Sequence, residues 1–186
     1  MPKAGWTRVV VSMAVASSVL AVVLAFQVRS LVGELRELRF RSNLPQVGDV
    51  IPETRIALLH GDSLMLAPAQ GALRQVWFVF DTQCPICLAS IPGWRAALDR
   101  LEPDASLQVL GVSLDSASLT GPYVELHDLR FPVALLDNRH AAIYRIPGVP
   151  LILVIDEVGR ITGVRSGAFP VAVVDSLVRA VRSGVR

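Results

Sequence analysis

Hydrophobic and polar positions follow three successive patterns along this chain, and each predicts a different kind of element. From Val9 to Val28 the chain runs without a charged residue, about the 20 residues a helix needs to cross a hydrocarbon core. This run predicts a transmembrane anchor (9–28) after a short N-terminal tail (1–8), with a cleaved signal peptide as the competing reading. Ala14-Val15-Ala16 has the small-x-small form of a cleavage site, but cutting there leaves too short an apolar region before it. Between residues 29 and 43 the period changes. Leu31, Leu35 and Leu38 share one helical face and Glu37 is spaced to pair with Arg41, so the anchor is expected to continue as a juxtamembrane amphipathic stalk. A solvated spacer and a dimerising or membrane-lying helix both fit that pattern.

From Asn43-Leu44-Pro45 onward the pattern is that of alternating strands and helices, predicting a second domain over 44–186. Arg55 to Leu59 and Ser63 to Leu66, around His60-Gly61-Asp62, read as a β-hairpin, and Gln70-Gly71-Ala72 as a loop. Val76–Phe80 is an apolar strand. The following helix, opening at Pro85, places Cys87, Ile91, Trp94, Leu98 and Leu101 on one face, with Pro92 removing a backbone bond inside it. Leu107–Leu114 reads as a buried parallel strand, Leu119–Leu129 as a helix starting as late as Pro122, Val133–Leu136 as a short strand and Asn138–Tyr144 as a short helix. Leu151–Ile155 predicts a central strand paired with Arg160–Val164. Pro170 opens a last helix with an apolar stripe of Val174, Leu177, Val178 and Val181. This order predicts an α/β fold, a mixed central sheet covered by helices.

Composition narrows the function classes. With 186 residues and a net charge of +2, the chain has no basic signature for nucleic acid. Its two cysteines stand together in Cys84-Pro85-Ile86-Cys87, directly after the Val76–Phe80 strand. A Cys-x-x-Cys pair at a helix start can close a small disulfide, and the free N–H groups and dipole at that end favour a thiolate on the first sulfur. Pro85 suits the first turn, where its missing N–H costs nothing. Two cysteines that merely pack have no reason to adopt this spacing. A zinc site needs four ligands, and His60, His127 and His140 are scattered. On the predicted helix Cys87 points inward while Cys84 sits at the exposed tip, which makes Cys84 the attacking thiol and Cys87 the resolving one.

The strand, Cys84-Pro85-Ile86-Cys87, Pro92 within the helix and Gly148-Val149-Pro150 further on together resemble the membrane-anchored thioredoxin-like thiol–disulfide oxidoreductases of the TlpA/ResA/CcmG group, over roughly Pro45 to the C-terminus. The resemblance implies a thioredoxin-like three-layer sandwich and an enzyme whose only redox element is the Cys84–Cys87 disulfide, with no cofactor or metal. It implies a cis peptide before Pro150, with Val149 and Pro150 binding the extended chain of a partner. The implied partners are cysteine-containing client proteins and an upstream membrane thiol donor. The implied location is the cytoplasmic membrane with the redox domain outside, as for a reductant in cytochrome c maturation or a related assembly path. Arg29, Arg36, Arg39 and Arg41 after the span outnumber Lys3 and Arg8 before it, and counted alone would place the domain inside.

The chain departs from the group's pattern near the cysteines. Many members carry tryptophan where Phe80 and Gln83 stand, an acidic residue where Ser90 stands, and threonine where Leu151 stands. Ser90 cannot titrate in place of an acid, which leaves Asp81 as a candidate proton relay or as a solvated loop residue. Three alternatives accompany the leading reading. An accessory role in methylamine dehydrogenase-type assembly changes the client only. A thiol peroxidase would want Pro-x-x-x-Thr-x-x-Cys, where this chain has Trp77 and Asp81. A copper chaperone would need Cys84, Cys87 and one histidine.

Overall fold

A computed structural model describes residues 3–66 and 73–183. The expected loop at Gln70-Gly71-Ala72 lies outside the described residues. The chain divides into two units, one up to Asn43 and one from Leu44.

The first unit is a single helix, α1 (Lys3–Asn43), with no break between the expected tail, span and stalk. No proline lies between Pro2 and Pro45 to interrupt its hydrogen bonds. Among the described side chains, Ser17–Leu35 is long and apolar enough to cross a membrane, and it is exposed throughout.

The second unit begins with the hairpin β1 (Thr54–Ala57) and β2 (Ser63–Leu66), turned through Gly61 at φ 93°, a value that glycine adopts without a Cβ clash. Then follow β3 (Arg74–Phe80), α2 (Pro85–Leu101), β4 (Leu107–Ser113), α3 (Ala117–Leu126), β5 (Val133–Leu135), α4 (Asn138–Ile143), β6 (Leu151–Ile155) and β7 (Ile161–Ser166). A 3-10 turn (Val171–Val173) leads into α5 (Val174–Ser183). The sheet order is β5-β4-β3-β6-β7, with β3, β4 and β5 parallel and β6 and β7 antiparallel to their neighbours.

Alternation along β3 builds the three layers. Val76, Phe78 and Phe80 point to one face, where they meet α2, α3 and α5 through Trp94, Leu98, Tyr123, Leu177 and Val181. Trp77 and Val79 point to the other, where they meet the hairpin's Ile56 and Leu66 and the Ala141 and Tyr144 region of α4. The aromatic side is dense: Phe78 lies against Trp94 (5.7 Å between centroids), Phe131 (5.6 Å) and Phe169 (6.4 Å). β3 is buried along its whole length, including Arg74 and Gln75. Arg74 satisfies its charge with the Val181 carbonyl (2.7 Å), Ser106 Oγ (3.0 Å) and Asp104 (3.2 Å), as a buried guanidinium must.

Two helix starts differ from the sequence reading. α3 starts at Ala117, before Gly121-Pro122 rather than at them, because the N–H groups of Leu119 and Thr120 already close onto the Ser116 carbonyl. The last helix starts at Val174, since the N–H of Val173 bonds to Pro170 in the tighter 3-10 turn first.

Candidate functional site

The cysteine pair forms where the C-terminal end of β3 feeds α2. Cys84 is the N-cap of α2 in an extended conformation, and Pro85 occupies its first turn. The Cys84 carbonyl accepts the Leu88 N–H at 3.1 Å. Its sulfur accepts the Cys87 N–H, also at 3.1 Å, so an otherwise orphaned donor of the helix end is aimed at Sγ. The two cysteines are unlinked, Cys84 half-buried and Cys87 buried. Burial pushes the Cys87 thiol well above the ordinary range; the hydrogen bond with Cys84 and the nearby negative charge of Asp81 push the same way, and a backbone hydrogen bond with Asp81 opposes them.

The partner of this helix start is fixed by sheet register. β3 and β6 are antiparallel with Val79 opposite Leu151, so one step further brings Pro150 opposite Phe80, at the mouth of the cysteine loop. The Val149–Pro150 peptide is cis, and the Val149 carbonyl oxygen lies 3.8 Å from Cys84 Sγ. The Pro150 carbonyl is taken by the Gly167 N–H at 3.0 Å. Four of the residues singled out from sequence, Cys84, Cys87, Val149 and Pro150, therefore lie together.

Asp81 is half-buried, and its Oδ1 accepts the Gln83 N–H at 2.9 Å. It shapes the loop as well as lying near the thiols. The adjoining Thr82 gives both its N–H (2.7 Å) and its hydroxyl (2.8 Å) to Asp115 Oδ2. Asp115 was not visible as a site residue from sequence; its one signal is its place just past the end of β4, where open α/β sheets gather functional side chains.

Ser90 is fully buried. Its hydroxyl donates to the Ile86 carbonyl (2.7 Å) and accepts the Phe169 N–H (3.0 Å), stitching α2 to the segment before α5. Phe80 is buried too, stacked on Tyr123 (5.7 Å) and against Trp94 (5.9 Å) beneath the site. The Tyr123 hydroxyl is buried without a hydrogen-bond partner, and burial first, then the charges of Cys87, Cys84 and Asp81, push it up to about 12. Among the described residues no group of three or more His, Cys, Asp or Glu is arranged to hold a metal ion. His140 is engaged with Asp137 at 2.7 Å, and His127 lies against the Tyr123 ring at 4.5 Å.

No protein-family model matches the chain, and no curated protein sequence does. Solved structures do. The thioredoxin domain of a thiol-disulfide oxidoreductase from Bacteroides vulgatus is similar at a TM-score of 0.62 and 20% identity, over 76% of this chain and 99% of that one. StoA from Bacillus subtilis is similar at 0.59 and 18%, over 70% and 97%. The peroxidoxin BcpB from Mycobacterium tuberculosis is similar at 0.59 and 18%, over 77% and 99%. At these identities the likeness shows the fold: this is a thioredoxin-like α/β domain with a central mixed sheet. Because oxidoreductases and a peroxidoxin share that fold, the reaction has to be argued from the site.

Proposed function

We propose that the protein is a thiol–disulfide oxidoreductase that exchanges disulfides with cysteine-containing proteins through Cys84 and Cys87. The observation that carries this reading is the inequality of the two sulfurs: Cys84 half-exposed with the Cys87 N–H at 3.1 Å, Cys87 buried and held protonated. In the reducing direction the Cys84 thiolate attacks one sulfur of a client disulfide, which breaks, and the client's other sulfur leaves as a thiolate and takes up a proton. Cys87 then loses its proton and attacks Cys84 Sγ. The Cys84–client bond breaks, the Cys84–Cys87 disulfide forms, and the second client sulfur is protonated. Two electrons and two protons have passed to the client. The high proton affinity of Cys87 keeps it from competing in the first step and requires a base in the second. Asp81 is the group we assign to that role, since its carboxylate charge acts on Cys87 and the hydrogen bond from the Gln83 N–H holds it in the same loop.

The Val149 carbonyl beside Cys84 Sγ supports docking of an extended client segment along the Val149–Pro150 edge, and the half-exposed Ile86 and Leu88 supply an apolar rim. The peroxidase alternative is disfavoured because Asp81 and Trp77 occupy the positions where a peroxidatic site carries threonine and proline. A helix long and apolar enough to cross a membrane supports tethering of the domain to the cytoplasmic membrane, and the resemblance to the TlpA/ResA/CcmG group is the ground for taking its side as the outer one. There it would reduce cysteines of exported proteins, as cytochrome c maturation or a related assembly path requires.

Trapping tests the chemistry: Cys87→Ser accumulates mixed disulfides through Cys84, and Cys84→Ser traps almost none. The reverse pattern overturns the roles. A membrane-impermeant thiol reagent on intact cells tests the location, since Cys84 reacting only after lysis places the domain inside.

A further inference from the structure

The loop Asp81-Thr82-Gln83 decides where Cys84 Sγ stands, and its anchor is a side chain just past the end of the neighbouring strand β4. Phe80 and Ser113 are register partners at the ends of β3 and β4, and the Leu114 N–H reaches the Phe80 carbonyl at 3.0 Å, so the two chains leave the sheet side by side. One residue on, Asp115 Oδ2 takes both the Thr82 N–H (2.7 Å) and the Thr82 hydroxyl (2.8 Å). An acid beside a helix start ordinarily caps that helix. Here the first-turn N–H groups of α3 go to the Ser116 carbonyl, Ser116 makes no side-chain cap bond, and the Asp115 carboxylate turns to the cysteine loop. Asp115 is held in its turn. Its N–H donates to Ser113 Oγ at 3.2 Å, and Ser113 Oγ lies 2.7 Å from Thr120 Oγ1 on α3, with Ser113 and Thr120 both fully buried. A polar chain thus runs from α3 through β4 to the residue two before Cys84.

We propose that Asp115 is a positioning residue for the redox pair: through Thr82 it fixes the loop so that Cys84 Sγ stays on the Cys87 N–H and beside the Val149 carbonyl. This rests on the thiol–disulfide reading above. Charge-assisted bonds as short as these are the strong kind. What they hold is proximity, since the stability of a vicinal disulfide against an external thiol measures the effective concentration of one sulfur at the other. Releasing the loop spreads Cys84 over more positions and lowers that concentration.

The test is the redox equilibrium of the full chain, purified in mild detergent, against mixtures of reduced and oxidised glutathione. Asp115→Ala is expected to lower the equilibrium constant for closing the Cys84–Cys87 disulfide about tenfold, a rise in potential of about 30 mV for this two-electron couple. Thr82→Val, which removes one of the two bonds, falls in the same direction by a smaller factor. Asp115→Asn, whose amide oxygen still accepts both donors, stays within about threefold of wild type, and the Asp115→Ala/Thr82→Val double variant is no worse than Asp115→Ala, as residues acting through one contact require. An Asp115→Ala constant equal to wild type overturns the proposal, as does Asp115→Asn falling as far as Asp115→Ala, which would assign the effect to charge. Should Asp115→Ala not fold, a Thr82→Val constant equal to wild type overturns it. A wild-type chain that does not equilibrate with glutathione overturns the redox reading itself, a distinct result.

Discussion

Replacing Ser90 by alanine separates a structural from a catalytic role at the position where the resembled group carries an acid. The Ser90 hydroxyl is the acceptor for the Phe169 N–H at 3.0 Å, in a place where Ser90 and Phe169 are both fully buried. Alanine leaves that N–H without a partner, which costs about 1–3 kcal/mol. The lost bond to the Ile86 carbonyl adds little, because that oxygen keeps its backbone partner in α2. Alanine's better helix propensity returns about 0.5 kcal/mol. The net expectation is about 2 kcal/mol of destabilisation. With a urea dependence of about 2 kcal/mol per M, the unfolding midpoint moves down by about 1 M. Tryptophan fluorescence of the reduced protein reads this directly, since Trp77 and Trp94 are fully buried. The rate at which Cys84 reduces a small disulfide should stay within about threefold of wild type, as Ser90 moves no proton. A midpoint unchanged within about 0.25 M, or an exchange rate down tenfold with stability intact, refutes this account.

Two further outcomes follow from the same packing and from the buried thiol. At Gly93 a Cβ would run into the Phe169 carbonyl oxygen and stand 2.9 Å from its ring Cδ1, so Gly93→Ala is expected to destabilise by about 3 kcal/mol or more; a neutral effect in urea unfolding would show that α2 can move away from this segment at no cost. Burial holds the proton on reduced Cys87 above the ordinary thiol range, so the unfolded chain releases it at lower pH than the folded one. The corresponding stability is present below about pH 8.5 and is lost as pH rises, at up to about 1.4 kcal/mol per pH unit. Unfolding of the reduced protein and of Cys87→Ala at about pH 8 and about pH 10 checks this, and equal losses in the two would sink it.

Much of this protein was legible along the chain because it depends on neighbours close in sequence. The apolar run in α1, the unbroken strand Leu151–Ile155, the stripe of Val174, Leu177, Val178 and Val181 and the inward turn of Cys87 all follow from backbone periods of 3.6 and 2. The local rules were least reliable at boundaries, as at α3, where Pro122 looked like a start and lies inside the helix.

What only the tertiary structure decided is which distant groups meet. Val149 stands 65 residues from Cys84, Phe169 stands 79 from Ser90 and Asp115 stands 33 from Thr82. These pairings depend on the strand order β5-β4-β3-β6-β7 and its register. A one-residue slip of β6 against β3 would carry Pro150 off Phe80 and turn its side chains to the opposite face. The sequence therefore specified two cysteines at a helix start. The hydrogen bonds that hold them in place, and the carbonyl they face, were chosen by the sheet, because a donor's partner is set by what packing brings within about 3 Å rather than by the residue's own chemistry.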